Sequence, residues 1–309
     1  MTDDAALARD AIAAMHEAFG EHDGRVVHVK GAWAEGSFTA TPEGGALCRA
    51  PFLRGTPVPA LVRFSNGGGN PVVHDGDRGG RGIGVKLQLD DAKLTDLLGI
   101  SVPFFTARTP EDFVAYVQLA RKDPDTGQPD LAAIGAFLEA HPETAAALVA
   151  AGALPPPASW LTIPYNGIHT FRWTAPDDSS HWVRTRWMPD GGEETLTDEE
   201  AQARDRDYLA ADLRDRLERG KASFTLLARL AQPGDALDDP TQPWPEEREA
   251  VAVGRLVLER AIDAPETLSD IRVFDPMHLC DGIEPSGDPI LAFRPKVYDV
   301  SVRGRWSGE

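Results

Sequence analysis

The stretch FRPKVYDVSVRGRW, residues 293–306, sets one tyrosine, Tyr298, among Arg294, Arg303 and Arg305 in a chain whose formal net charge is −18. On a helix, Arg294 lies four residues before Tyr298 and Arg305 seven after it, so guanidinium, phenol and guanidinium share one stripe. Two readings are open. The plain one is a tyrosine packed by its ring, with arginine stems reaching over it into solvent. The other is an anion site: a phenol ordinarily ionises near pH ~10, and a neighbouring guanidinium or a bound metal favours the phenolate. Tyrosinate then becomes available as an iron ligand. Pro295 fits a helix comfortably only in its first turn, so a helix is expected to start or kink near Arg294.

A second group stands early in the chain: Arg25 and His28 in RVVHVKG, and Arg63 and Ser65 in RFSN, all on expected strands. A histidine between β-branched neighbours commonly bonds a backbone carbonyl; with an arginine three positions earlier it could instead face a pocket, and spacing alone does not decide. None of the eight histidines shows zinc-protease spacing, and the chain carries no phosphate loop and no serine nucleophile elbow. Cys48 and Cys280 form neither a metal motif nor a disulfide framework, which suits a reducing compartment.

The elements that must position these groups are legible in outline. An amphipathic helix is expected over 3–19, then a strand-rich stretch through 89 with the glycine punctuation of a curved barrel. Helices are expected over 110–122 and 130–152, and a hairpin over 168–189 that turns at Pro176–Ser180. The acidic run 197–220 opens with Thr-x-x-Glu and closes on glycine, predicting one capped surface helix. Strands follow at 222–231 and 251–260.

At 309 residues, 42% hydrophobic and 26% charged, the chain has ample core for a globular protein. Its acidity disfavours nucleic acid and anionic membranes as partners. The acidic N-terminus is unlike a secretory signal, and no apolar run reaches the ~20 residues of a membrane span, so a cytoplasmic address is expected.

Seven ordered segments carry a resemblance. RVVHVKGAWAEGSF, VRFSNGGGN, RGIGVKL, DLLGISVPFFTARTPEDF, NGIHTFRW, FDPMHLCDGIEPSGDPILAFR and RPKVYDVSVRGR run from residue 25 to 305 and are similar to the catalase family, in particular its short catalase-related heme peroxidases. The resemblance implies an α+β fold: an antiparallel β-barrel of catalase-like type with surrounding helices. Residues 1–24 would form an N-terminal helix or arm, and 25–309 a single heme-binding domain. Heme b would sit inside the barrel fold, buried between barrel and C-terminal helix.

By the same matching, Tyr298 resembles the iron ligand and Arg294 the residue that keeps it a phenolate. Arg25, Arg63 and Arg305 resemble partners of the heme propionates, a task suited to guanidinium. His28 resembles the distal acid–base histidine, Ser65 the serine that orients it, and Phe105 and Phe113 aromatic groups beside the heme. His169 falls in a matched segment with no catalytic role assigned. The implied substrates are a peroxide and a small organic reductant.

Departures from the family pattern bear on the choice of reaction. Ile100 replaces the asparagine that helps position peroxide, which predicts weak dismutation unless Ser101 or Asn66 supplies the donor. Gly79 and Gly80 stand where Asp-Pro lines the access channel. The short flanks of the chain make bound NADPH and an interlocked tetramer unexpected, while leaving a smaller homo-oligomer open. The leading expectation is a heme peroxidase for hydrogen peroxide or organic hydroperoxides. A true small catalase, a fatty-acid hydroperoxide rearrangement and non-catalytic heme binding are the alternatives.

Overall fold

Residues 4–20, 25–89, 93–121, 128–263 and 273–306 are described by the structure, a computed structural model, with side chains through Val302. The strands are β1 (Gly31–Ala40), β2 (Val58–Asn66), β3 (Arg81–Gln88), β4 (Leu94–Ile100), β5 (Tyr165–Asn166), β6 (Phe171–Thr174), β7 (Ser180–Pro189), β8 (Ala222–Leu230), β9 (Ala250–Ile262) and β10 (Ile283–Pro285). Eight of them close an antiparallel ring in the order β1-β2-β3-β4-β5-β7-β8-β9, and β6 and β10 extend from β7 outside it. Bulges at Glu35/Gly36 and Leu226/Leu227 bend the long strands into that curve.

The barrel interior is solid. Phe38, Phe52, Phe64, Trp160, Tyr165, Trp187 and Phe224 are fully buried there, with Phe64 stacked on Trp160 and Phe38 edge-on to Trp187. Large buried rings packed this way fill the interior among the described residues. The expectation of a group inside the barrel is therefore corrected: the cavity lies against the barrel's outer face. Strand alternation dictates the layout. Val62 and Phe64 point inward, so Arg63 and Ser65 point outward.

The helices are α1 (Asp4–Phe19), α2 (Pro42–Leu47), α3 (Pro110–Leu119), α4 (Leu131–Ala140), α5 (Pro142–Ala153), α6 (Asp198–Gln202), α7 (Tyr208–Arg219) and α8 (Pro289–Trp306). A second apolar cluster joins Leu7, Ala11, Ile12 and Met15 of α1 to Val114 and Val117 of α3 and Phe293 of α8. Those helices roof the outward face of β1–β4. Among the described residues no helix is long and apolar enough to cross a membrane.

Several boundaries differ from the sequence expectation. The 130–152 helix divides at His141, because Pro142 lacks an N–H and takes the first position of α5. The 197–220 helix keeps its expected capping box, Thr197 with Glu200, but breaks before Tyr208. The carbonyl of Arg206 in that break accepts from Lys30 Nζ at 2.8 Å and from the backbone N–H of Asp75 at 2.9 Å, tertiary bonds that displace the helical one. Helix α8 starts at Pro289, well before Arg294, and Pro295 lies inside it. Arg25 and His28 lie on no strand: β1 begins only at Gly31.

Candidate active site

A cavity of about 460 Å³ opens between the barrel wall and the roof of α1, α3 and α8, a size typical of small-molecule and cofactor sites. Arg25, His28, Arg63, Ser65, Phe105, Phe113, Arg294 and Tyr298 all line it. Arg305 falls on α8, but its side chain is outside the described residues. Residues as far apart in the chain as Arg25 and Tyr298 thus converge on one space.

The wall is built by strand register. Ser65 of β2 stands opposite Gly82 of β3, and Gly82 opposite Ile100 of β4, which pairs in turn with Asn166 of β5. Glycine at 82 is a spatial requirement: a Cβ there would come within 2.9 Å of His28 Cε1 and 3.1 Å of Ser65 Oγ. The imidazole therefore sits close against bare backbone, with Nδ1 at 2.9 Å from Ser65 Oγ.

His28 has a positive φ of 54°, a left-handed backbone uncommon outside glycine and costing of order 1–3 kcal/mol. Its side chain lines the cavity. Burial first, then the charges of Arg63, Arg294 and Arg25, hold its pKa down at about 3. At neutral pH it is an uncharged imidazole able to accept a proton.

Helix α8 supplies the other wall. Arg294 Nε donates to Tyr298 Oη at 2.9 Å, and the (i, i+4) spacing places the guanidinium 5.7 Å from the centre of the ring. The phenol oxygen is thereby presented as an acceptor, the electronic role of a metal ligand. Arg294 Nη1 reaches His169 Nε2 at 2.9 Å, and His169 Nδ1 reaches Asp288 Oδ2 at 2.6 Å. Arginine only donates, so Nε2 of His169 carries the lone pair and Nδ1–H points at the carboxylate. Burial lowers the His169 pKa, partly opposed by Asp288, in keeping with that neutral tautomer.

Sequence reasoning left His169 without a role. The missed signal was the Asp-Pro at 288–289, a carboxylate poised at a helix start; its separation of 119 positions from His169 hid the pairing. Sequence reasoning also left Ser101 and Asn66 open as donors beside Ile100. Asn66 spends Nδ2 on Asp75 at 2.7 Å, Ser101 Oγ accepts from the Arg81 backbone at 2.9 Å, and neither lines the cavity. Asn166 does line it, but directs its amide N–H groups to the carbonyls of Ile100 and Ser101 at 3.3 and 3.4 Å.

The donor set fits a heme. A tyrosine oxygen and an uncharged imidazole face one cavity, with the guanidinium-bearing Arg25 and Arg63 also in its lining and mostly apolar walls between. No group of three or more His, Cys, Asp or Glu offers a rival metal site among the described residues.

Comparison with known proteins bears on the family and the fold. The family model described as Catalase matches residues 5–309. The chain is 36% identical to a catalase-related peroxidase of Synechococcus elongatus over 96% of its own length and 88% of that protein's. It is 39% identical to a catalase-related peroxidase of Mycolicibacterium paratuberculosis, covering 91% of this chain and 88% of the relative. A solved fungal catalase superposes with a TM-score of 0.77 at 25% identity, over 91% of this chain and 59% of that one. Matched by that family model over nearly its whole length and by two relatives above 30% identity, the chain belongs to the catalase family.

Proposed function

We propose that this protein is a peroxidase that binds heme b and uses hydrogen peroxide or an organic hydroperoxide to oxidise a small organic donor, with little dismutation of hydrogen peroxide. The observation that carries it is the pairing, in one cavity, of the neutral His28–Ser65 couple with the Arg294–Tyr298 couple. Tyr298 would hold the iron, and Arg25 and Arg63 the propionates. Neither cysteine lines the cavity, which favours a non-covalently held heme.

Bound heme would supply a Lewis-acidic, redox-active iron at which the O–O bond of peroxide breaks. His28 then does the proton work. With Nδ1–H given to Ser65, Nε2 takes a proton from one peroxide oxygen and returns it to the other, which leaves as water or alcohol. Arg294, donating to the Tyr298 oxygen at 2.9 Å, would keep that oxygen an acceptor able to hold the iron. Phe105 and Phe113, stacked with centroids 5.7 Å apart, keep that end of the cavity apolar.

Dismutation needs a second hydrogen peroxide oriented as reductant, and the wall lacks a donor for it. Ile100 is apolar, and the nearby amides are committed elsewhere. Losing one preorganised donor costs about 3–4 kcal/mol. A heme store would have no need of a histidine held neutral beside a serine, which weighs against non-catalytic binding. Parallel assays of oxygen evolution and one-electron dye oxidation on the heme-loaded protein test the proposal. Dye oxidation should dominate; oxygen evolution at catalase-like rates without dye oxidation overturns it.

A further inference from the structure

The left-handed backbone at His28 has to be held from both sides, because such conformations persist only where the surroundings over-determine them. Arg63 supplies one hold: Nη2 donates to the carbonyls of His28 at 2.8 Å and Val29 at 3.1 Å. Lys30 supplies another. Its ammonium lies 2.8 Å from the carbonyls of Val73 and Arg206, 2.8 Å from a carboxylate oxygen of Asp75 and 2.7 Å from one of Asp207.

Asp75 is fully buried and also accepts from Asn66 Nδ2 at 2.7 Å and from the backbone N–H of Leu209 at 2.9 Å. Asp207 precedes α7 at the capping position yet makes no cap bond in its own helix. Its carboxylate faces Arg206 and Lys30, which hold its pKa down at about 2. Asp207 is half exposed, but burying the Lys30–Asp75 pair is costly, and well-packed apolar groups would serve bulk stability as well. What the charges add is a fixed geometry for the chain that leads out of His28.

We propose that Lys30, clamped by Asp75 and Asp207, is a positioning residue for the peroxide reaction: it fixes residues 26–30 so that the His28 imidazole stays aimed into the cavity against Ser65. The proposal rests on the reading of His28 as the group that moves the peroxide proton. It makes the α6–α7 break part of the reaction machinery, since that break delivers both Asp207 and the Arg206 carbonyl.

The test compares heme-loaded wild type, Lys30→Met, Lys30→Arg, Asp207→Asn and His28→Ala. For Lys30→Met, heme uptake should stay within about twofold of wild type and the KM for the organic donor should not move. The second-order constant for hydrogen peroxide should fall about 10- to 100-fold, the scale of a misplacement near 1 Å. Lys30→Arg should recover most of the loss, and Asp207→Asn, which keeps the buried ion pair, should lose severalfold. In the heme-free proteins, amide hydrogen exchange should quicken at 26–30 in Lys30→Met and Asp207→Asn while β2 and β3 stay protected. If Lys30→Met does not fold, Asp207→Asn decides by the same two readouts. A His28→Ala constant equal to wild type sinks the reading of His28 itself. Loss in His28→Ala, with the clamp variants within twofold of wild type and exchange unchanged, sinks the clamp alone. Uniform loss of protection with a normal rate per bound heme overturns it as well.

Discussion

The carboxylate of Asp288 lies 2.6 Å from Nδ1 of His169, and its other oxygen caps the helix that carries Tyr298. Oδ1 accepts from the backbone N–H groups of Ile290 at 2.8 Å and Leu291 at 3.1 Å. One buried side chain thus fixes both where α8 begins and which nitrogen of His169 faces Arg294. The phenol inherits its orientation from this chain of contacts.

Replacing Asp288 by Asn separates the two duties. Asparagine caps helices about as well as aspartate, so the loss of stability should stay near 1 kcal/mol. With its oxygen at the cap, the amide N–H₂ faces His169 Nδ1 and forces the tautomer that opposes Arg294. Heme affinity or peroxidase activity should fall about 10- to 100-fold, as for other outer-shell partners. Soret titration with melting curves checks this; an unchanged affinity and activity contradicts it.

Installing Ile100→Asn restores an amide to the row Ser65–Gly82–Ile100. The ratio of oxygen evolution to dye oxidation should rise by 10²-fold or more, the kinetic equivalent of about 3 kcal/mol. An unchanged ratio would remove the missing donor as the reason for weak dismutation.

Gly82→Ala should be damaging out of proportion to its single added carbon. The new Cβ would press on His28 Cε1 and Ser65 Oγ, an overpacking cost of about 1–3 kcal/mol. Displacement of the imidazole should also slow the reaction with peroxide, measured by stopped-flow per bound heme. A variant with wild-type stability and rate would show that the close approach is not required.

Acid should weaken the fold through His28. Its pKa is about 3 when folded and about 6.5 when unfolded. Between those values the unfolded chain binds the extra proton, so stability rises with pH across that window and levels off above it. Urea unfolding of the heme-free protein from pH 4.5 to 6.5 should show a slope that His28→Gln reduces by up to one proton, at most about 1.4 kcal/mol per pH unit. His169, also lowered, adds in the same sense. An identical slope in the variant contradicts a depressed His28.

The site residues were assigned their roles only through the resemblance carried by the seven matched segments, whereas much of the barrel could be read from alternation and glycine punctuation, because these are local patterns. The hairpin at β6–β7 and the capping box at Thr197 came through intact for that reason. What escaped depends on distant partners. RVVHV reads as a strand by its β-branched residues, yet bonds from Arg63 and Lys30 bend it into the left-handed turn at His28. The α6–α7 break follows from Lys30 and Asp75 capturing one carbonyl, which no helical propensity reports. Strand β5, only two residues long, is defined by its neighbours rather than by its own composition.

Iron ligation by Tyr298 is the claim on which the account most depends, and the ferric absorption spectrum of heme-loaded wild type against Tyr298→Phe measures it directly. The wild type should show a phenolate-to-iron charge-transfer band that the variant lacks, with weaker heme retention in the variant. Identical spectra and equal retention in the two proteins would contradict it.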